Sequence, residues 1–335
     1  MAGDRDLAVA VVRARFPDPV ARAWEMLAAT GVRGLRLLRE GGGVASLLAT
    51  EAHPAAFAVL AANAGAFPAV TVRQDDARRR PPEAPFDYVD LDPYGSPLPF
   101  LDTAAAATAD GGLLAVTATD LMVLAGVQPG ACERRYGARP VRGRLGPEGG
   151  LRILLARVAE AVRATGRRME VRLAYVRGHH LRLYAEVRPG GAGADPEPIG
   201  TIDPTAWDGP PLGAGGPFGP LWLGRLGEPG FVEALRVPAG AARPGEVAWF
   251  LERFREEVAI DRAFYYESNE VARRLHLTEP PPREAVRRAL AARGYAAART
   301  HARPEGIRTD APRAVVEATV AALADGQSQN ARVFA

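Results

Sequence analysis

Residues 87 to 103 read DYVDLDPYGSPLPFLDT, an apolar run that stops on a carboxylate, a proline and an aromatic ring: Asp92, Pro93 and Tyr94. A carboxylate at the end of a buried strand is a fixed hydrogen-bond acceptor, and a ring beside it is a platform for a flat base. Together they suit a conjugated exocyclic amine. Its lone pair is delocalised into the ring system, so it becomes a nucleophile only when an acceptor draws on its N–H groups. Asp92 supplies the acceptor, Pro93 stiffens the loop and Tyr94 stacks. A base handled in this way is flipped out or already unpaired, at a cost of a few kcal/mol that stacking, about 1–3 kcal/mol per base, offsets. The plainer reading, with Asp92 as a helix cap and Tyr94 as core filler, stays open from the residues alone.

Three other strand-end loops add polar groups. ATGVRG provides Gly31 and Gly34, which permit close backbone approach ahead of a helix N-terminus. Glu51 stands where an acid accepts from two ribose hydroxyls, and Asp76 where one reaches an adenine amino group. No G-x-G-x-x-G phosphate loop accompanies them, so an adenosine-bearing cofactor such as S-adenosylmethionine fits better than NAD. Each signal is weak alone, since glycine turns are usually only turns and strand-end acids are often caps.

These residues need a sheet whose strands end together. From about residue 20 to 190 short apolar runs alternate with helical patterns, predicting a parallel sheet flanked by helices. RAWEM, VASLLATE, AVTVRQDDA, FDYVDLDPY and GGLLAVTATD are the five strands, and MEVRLAYVR with HHLRLYAEVR closes the sheet as an antiparallel hairpin around Gly178. This is a Rossmann-like α/β fold of the class I methyltransferase type, with a dinucleotide-binding dehydrogenase as the topological alternative. The division predicted is a catalytic domain over 1–190, a Gly/Pro-rich connection over 191–220 without regular elements, and a smaller α+β domain over 221–335. In the last, EVAWFLERFREEVAIDRAFYY reads as a long amphipathic helix. SNEVARRLHL, capped by Ser268 or Asn269, and PPREAVRRALAARG, started by Pro281 or Pro282, precede extended arms, a winged-helix-like order.

At 335 residues with 47% hydrophobic and 24% charged residues, and no apolar run of the roughly 18 residues a membrane span needs, the chain reads as soluble and cytoplasmic. One cysteine, Cys132, and five histidines leave no disulfide and no Cys-rich metal site, so no metal is expected. Cys132 is read as a packing residue, His179 and His180 as turn residues, and the arginines of DDARRR as a solvated or RNA-facing edge. All 42 basic residues are arginine, for which biased codon usage is the simplest account; position says more. Residues 271–335 hold 11 Arg against 6 Asp and Glu, a local +5 in a chain of net +3, which favours a polyanionic partner.

DPYGSP resembles the Asp/Asn-Pro-Pro-Tyr/Phe loops of amino-group methyltransferases. DLDPYGSPLPFLDTA, GGLLAVTATDLMVLAG, PGACERRYGARPVRG, FGPLWLG and GYAAARTHARPEGIRTDAP, in that order, resemble the tRNA guanine-26 N2-dimethyltransferase family over nearly the whole chain. The resemblance implies transfer of one or two methyl groups from S-adenosylmethionine to guanine N2 in tRNA. It also implies a catalytic Asp92, Pro93 and Tyr94, cofactor contacts from Arg5, Thr30, Gly31, Arg33, Glu51, Asp76 and Ala77, and a C-terminal domain that grips tRNA. No membrane or obligate protein partner is implied. Two departures stand out. Relatives carry an aromatic-containing segment ahead of the DRD stretch, here preceded only by MAG, so an aromatic partner for Tyr94 is not evident. Many also have paired cysteines before GPLWLG, where this chain has none. Methylation of another RNA base, and a tRNA-binding protein impaired by its short N-terminus, are the alternatives.

Overall fold

The computed structural model describes residues 2–333 apart from Val20, Pro82, 191–195 and Ala214, with side chains described through Asp325. Part of the expected Gly/Pro connection therefore lies outside the described residues. In chain order the first elements are α1 (Ala2–Arg15), β1 (Ala21–Glu25), α2 (Val32–Glu40), β2 (Val44–Thr50), α3 (Pro54–Ala64), β3 (Val70–Arg73), β4 (Phe86–Leu91), α4 (Leu98–Ala107) and β5 (Thr108–Ala118). There follow α5 (Leu121–Leu124), α6 (Pro129–Tyr136), α7 (Gly146–Arg163), β6 (Arg167–Arg177) and β7 (His180–Pro189). The remainder is β8 (Ile199–Ile202), β9 (Phe218–Trp222), α8 (Pro229–Ala234), α9 (Pro244–Val258), β10 (Tyr266–Glu267), α10 (Ser268–Arg274), α11 (Arg283–Ala292), β11 (Ala297–Arg299), β12 (Gly306–Thr309) and α12 (Arg313–Val333).

Chain contacts form two compact units that interleave in sequence: 1–121, 154–197 and 226–251 in the first, and 122–153, 198–225 and 252–335 in the second. The first unit is built on a seven-stranded sheet of order β3-β2-β1-β4-β5-β7-β6. β1 to β5 pair in parallel, while β7 is antiparallel to both β5 and β6. The expected Rossmann-like sheet with a closing hairpin is what forms. Leu113 to Val116 are all fully buried, as a central strand covered on both faces requires, which is why GGLLAVTA is near-continuously apolar.

The charged N-terminal stretch, predicted only to lack a signal layout, is a core helix. Leu7 to Val12 of α1 are at most 2% exposed. Its acids are absorbed by partners: Asp6 accepts from the backbone N–H groups of Ala242 (3.1 Å) and Arg243 (2.8 Å) and from Arg36 Nη1 (2.7 Å). Asp4 Oδ1 meets His180 Nε2 at 2.9 Å, so His180 opens β7 with a partner rather than serving as a bare turn residue.

In the second unit β10, β12 and β11 form a small antiparallel sheet. α10, α11 and α12 pack with it through Val271, Val286, Leu290, Ile307, Val316 and Val320. The helix, helix, two-strand order matches the winged-helix-like expectation. Three expectations are corrected. The stretch around 189–220 is not free of regular structure: β8 and β9 pair antiparallel because Ile202, Phe218, Leu221 and Trp222 can be buried together. The helix read through Tyr266 stops at Val258, and the chain beyond it is captured where Phe264, at φ 65°, donates its N–H to Glu148 Oε1 at 2.8 Å. Neither Ser268 nor Asn269 caps α10; Glu267 holds the N-cap position, with its carboxylate taken by Arg144 and Arg303. Cys132 is fully buried in α6. No described helix is long and apolar enough to cross a membrane.

Candidate active site

In a doubly wound sheet, ligands bind beyond the carboxyl ends of the strands, where the strand order reverses. Here that point lies between β1 and β4. Register brings the strand ends level: Ala49, Glu25, Asp90, Ala115 and Tyr184 are successive partners across β2, β1, β4, β5 and β7. Because side chains alternate along a strand, the same face is reached again two residues on, at Thr117 opposite Arg182 and at Asp92, just past the end of β4.

Asp90 is the centre of this face. Its carboxylate, 1% exposed, accepts from Tyr88 OH (2.5 Å), from Arg182 Nη1 (3.0 Å) and Nη2 (2.7 Å), and from Arg33 Nη1 (2.9 Å). Arg182 also donates to Thr117 Oγ1 at 2.7 Å, and its guanidinium lies 4.7 Å from the centre of the Tyr184 ring. Arg33 reaches outward with its second nitrogen, Nη2 to Asp92 Oδ2 at 2.5 Å. One guanidinium thus clamps a buried carboxylate and a half-buried one. Burial alone would raise the pKa of Asp90, but Arg182 and Arg33 outweigh it and hold the carboxyl well below the usual range. The opposite balance holds nearby. Burial, and then the charge of Asp90, push Glu25 up to about 8 against the pull of Arg33, so this carboxyl carries a proton at neutral pH. Its Oε2 accepts from the N–H of Gly34 at 3.2 Å. A Cβ on Gly34 would come within 2.5 Å of that oxygen, so only glycine lets α2 start this close to β1.

The Asp92–Tyr94 loop is tied down at its far end, where Gly95 N–H donates to Thr119 Oγ1 (2.7 Å) and Thr119 N–H donates to Gly95 O (2.9 Å). Pro93 is buried, whereas Tyr94 is completely exposed, which removes the core-filler alternative for its ring. The β1–α2 loop is shaped by Glu51: Oε2 accepts from Ala29 N–H and Oε1 from His53 N–H, both at 2.8 Å. Thr30 is exposed and its carbonyl accepts from Asn63 Nδ2 at 2.9 Å. Gly31, at φ 76°, makes the left-handed turn into α2 that a side chain would strain. Asp76 is held by Arg78, both carboxylate oxygens accepting from Nε and one of them also from Nη2. That hydrogen bonding draws its pKa down to about 2. Ala77 is buried behind it. Arg5 lies half-buried on α1, with no hydrogen bond or ion pair among the described residues.

The structure therefore joins Arg33 to Asp92, and Glu51 to the loop carrying Thr30 and Gly31. Among the described residues no hydrogen bond links Asp76 or Arg5 to the Arg33 cluster. Asp90, Tyr88, Arg182, Thr117 and Glu25 were missed from sequence. Two signals could have found them: Asp90 sits two residues before Asp92 and so shares its face, and Arg182 interrupts the apolar alternation of LRLYAEV. Glu51 retains lone pairs on both oxygens, beside exposed backbone at Ala29 and Thr30, which fits a ligand presenting hydroxyl donors. Among the described residues no group of three or more His, Cys, Asp or Glu is placed to hold a metal ion.

A family model described as N2,N2-dimethylguanosine tRNA methyltransferase matches residues 1–198 and 214–321. Proteins named tRNA (guanine(26)-N(2))-dimethyltransferase are similar over most of their length. The one from Thermococcus kodakarensis is 34% identical, over 94% of this chain and 90% of its own. The one from Pyrococcus furiosus is 32% identical, over 93% and 88%. A solved structure described as a complex of Trm1 from Pyrococcus horikoshii with S-adenosyl-L-methionine matches 96% of this chain and 93% of its own, at a TM-score of 0.84 and 29% identity.

Proposed function

The chain belongs to the N2,N2-dimethylguanosine tRNA methyltransferase family, and on that premise we propose how its residues methylate the exocyclic N2 of guanine 26 in tRNA with S-adenosylmethionine. When bound, the cofactor supplies a methyl group on a positively charged sulfur. Glu51 would receive the ribose hydroxyls and Asp76 the adenine amine, with Thr30, Gly31 and Ala77 lining the approach. Arg33 already serves two carboxylates, so Arg5 is the cation left for the cofactor's own carboxylate.

The acceptor role falls to Asp92. Arg33 occupies Oδ2, leaving Oδ1 to accept an N–H of the guanine amine and concentrate the lone pair on N2. As the N–C bond forms the nitrogen becomes cationic, and the proton it sheds has Asp92 as the nearest proposed acceptor. Tyr94 stacks on the base and Pro93 fixes the spacing between ring and carboxylate. Asp90 and Arg182 act through Arg33 as positioning residues. The observation that carries this reading is the Arg33 clamp on Asp90 and Asp92 directly before an unencumbered aromatic ring.

The second unit holds 21 Arg against 16 acids, net +5, and the first 21 against 23, net −2. We assign tRNA gripping to the second unit, and a cytoplasmic location follows from the substrate. Transfer of a labelled methyl group to tRNA transcripts, with nucleoside analysis, tests the activity; methyladenosine as product would overturn the guanine assignment. Asp92→Ala should abolish transfer with cofactor affinity nearly unchanged, and retained transfer would remove Asp92 from its role.

A further inference from the structure

The second unit contains a cavity of about 490 Å³ that the proposed chemistry does not use. Its size lies within the range of about 300–1,000 Å³ usual for ligand sites. Phe218, Tyr265 and Tyr266 supply aromatic wall, all at most 4% exposed. Arg142 and Arg144 stand at its edge. Arg144 is neutralised by Glu267, but Arg142 is exposed and has no ion-pair partner among the described residues. The neighbourhood also contains polar groups without partners: the hydroxyls of Tyr266 and of Ser268, two residues on, are buried and make no hydrogen bond. Such groups are costly to leave unmade. Two lining glycines, Gly143 and Gly213, have nothing within 4 Å of where a Cβ would stand, so backbone N–H and C=O groups border open space.

Aromatic walls call for a flat molecule, orphaned hydroxyls for one with hydrogen-bonding edges, and a free cation at the rim for one carrying a negative charge. We propose that this cavity receives a single unpaired nucleotide of the tRNA substrate, its base among Phe218, Tyr265 and Tyr266 and its phosphate at Arg142. This rests on the assignment of tRNA as substrate and on the net +5 of the unit. It adds a second point, apart from the Asp92 loop, at which one nucleotide is held out of the stack. Binding there would be sequence-tolerant if stacking dominates. Its salt dependence would be modest, since one phosphate is neutralised.

The test uses the full chain. Hydrogen exchange is followed over residues 142–145, 210–213 and 265–271 with tRNA transcript, and separately with millimolar nucleoside monophosphates. Arg142→Glu is assayed in parallel, together with Pro211→Trp, which narrows the cavity from a partly exposed wall position. The proposal expects protection of all three segments by tRNA and a KM for tRNA raised about tenfold in each variant, equivalent to about 1.4 kcal/mol. kcat, cofactor affinity and thermal midpoint should stay near those of the parent. Protection by free nucleotides but not by tRNA would overturn it in favour of a small-molecule site. Absence of protection by tRNA, or unchanged KM in both variants, would overturn it outright. Protection by tRNA without any methyl transfer would sink the catalytic reading while upholding the cavity's role, so the two failures are distinguishable.

Discussion

Replacing Arg182 by methionine separates holding the fold from holding the catalytic carboxylate. Arg182 is 2% exposed and binds Asp90 through two nitrogens at 3.0 and 2.7 Å. Removing one member of a buried ion pair typically costs about 3–5 kcal/mol. Asp90 would keep Arg33 at 2.9 Å and Tyr88 at 2.5 Å, so the lower end, about 3 kcal/mol, is expected. At roughly 2–4 °C per kcal/mol for a unit of this size, the thermal midpoint should fall by about 6–12 °C. The folded pKa of Asp90 is depressed, so its contribution is present above the usual carboxylate range and lost as pH falls; without Arg182 that loss should begin at a higher pH. The decisive variant is Asp90→Leu with Arg182→Met. An apolar pair of similar bulk is often as stable as a buried ion pair, so the midpoint should recover. Arg33 then has only Asp92 to bind and nothing behind it. Misplacement by about 1 Å can cost 100-fold, so kcat for labelled methyl transfer at saturating tRNA and cofactor should stay at least tenfold down. A stable double variant with kcat within twofold of the parent would refute the positioning argument.

The other outcomes follow from exposure and charge. Tyr94→Ala should leave the thermal midpoint untouched, because the ring is fully exposed. It should raise the KM for tRNA by the roughly 1–3 kcal/mol of one stacked base, or about 5- to 150-fold, and an unchanged KM would remove the stacking role. Glu25, pushed up to about 8, binds a proton in the folded state that it lacks unfolded. Its stabilising contribution is therefore present at pH below about 4.5 and lost as pH rises toward 8. Glu25→Gln should abolish that slope, on the order of a few kcal/mol, in urea unfolding followed from pH 5 to 8.5, and parallel slopes would show that Glu25 titrates normally. Glu148 is fully buried between Arg152 and Arg308. Glu148→Gln should destabilise the second unit by about 3–5 kcal/mol, read as loss of exchange protection around Phe264 and Arg308, and unaltered protection there would contradict it.

The sheet was legible because its strands obey a local rule: apolar runs in β1 to β5 alternate with helical patterns, and the β6–β7 hairpin announces itself at Gly178. The DPY loop was legible as chemistry for the same reason, its three residues being contiguous. What escaped was long-range. Asp90 was set aside as preceding the loop, because its partner Arg182 lies 92 residues away. α1 was obscured because its acids, which signal exposure in a linear sequence, are buried against Arg36, His180 and the backbone before α9. β8 and β9 were hidden by flanking glycines and prolines, although four bulky apolar residues were enough to pair them.

The cross-tie between Gly95 and Thr119 bears on the speed of recognition as well as its geometry. A loop that had to order itself at encounter would lose backbone entropy of about 1–2 kcal/mol per residue, and much of the stacking gain would be cancelled. Here the backbone is already fastened to the end of β5 at 2.7 and 2.9 Å. Only the two side-chain torsions of Tyr94 remain to be settled when a base arrives. The ring behaves as a hinged vane on a fixed post, able to sample incoming bases quickly and to release a wrong one without any refolding of the loop.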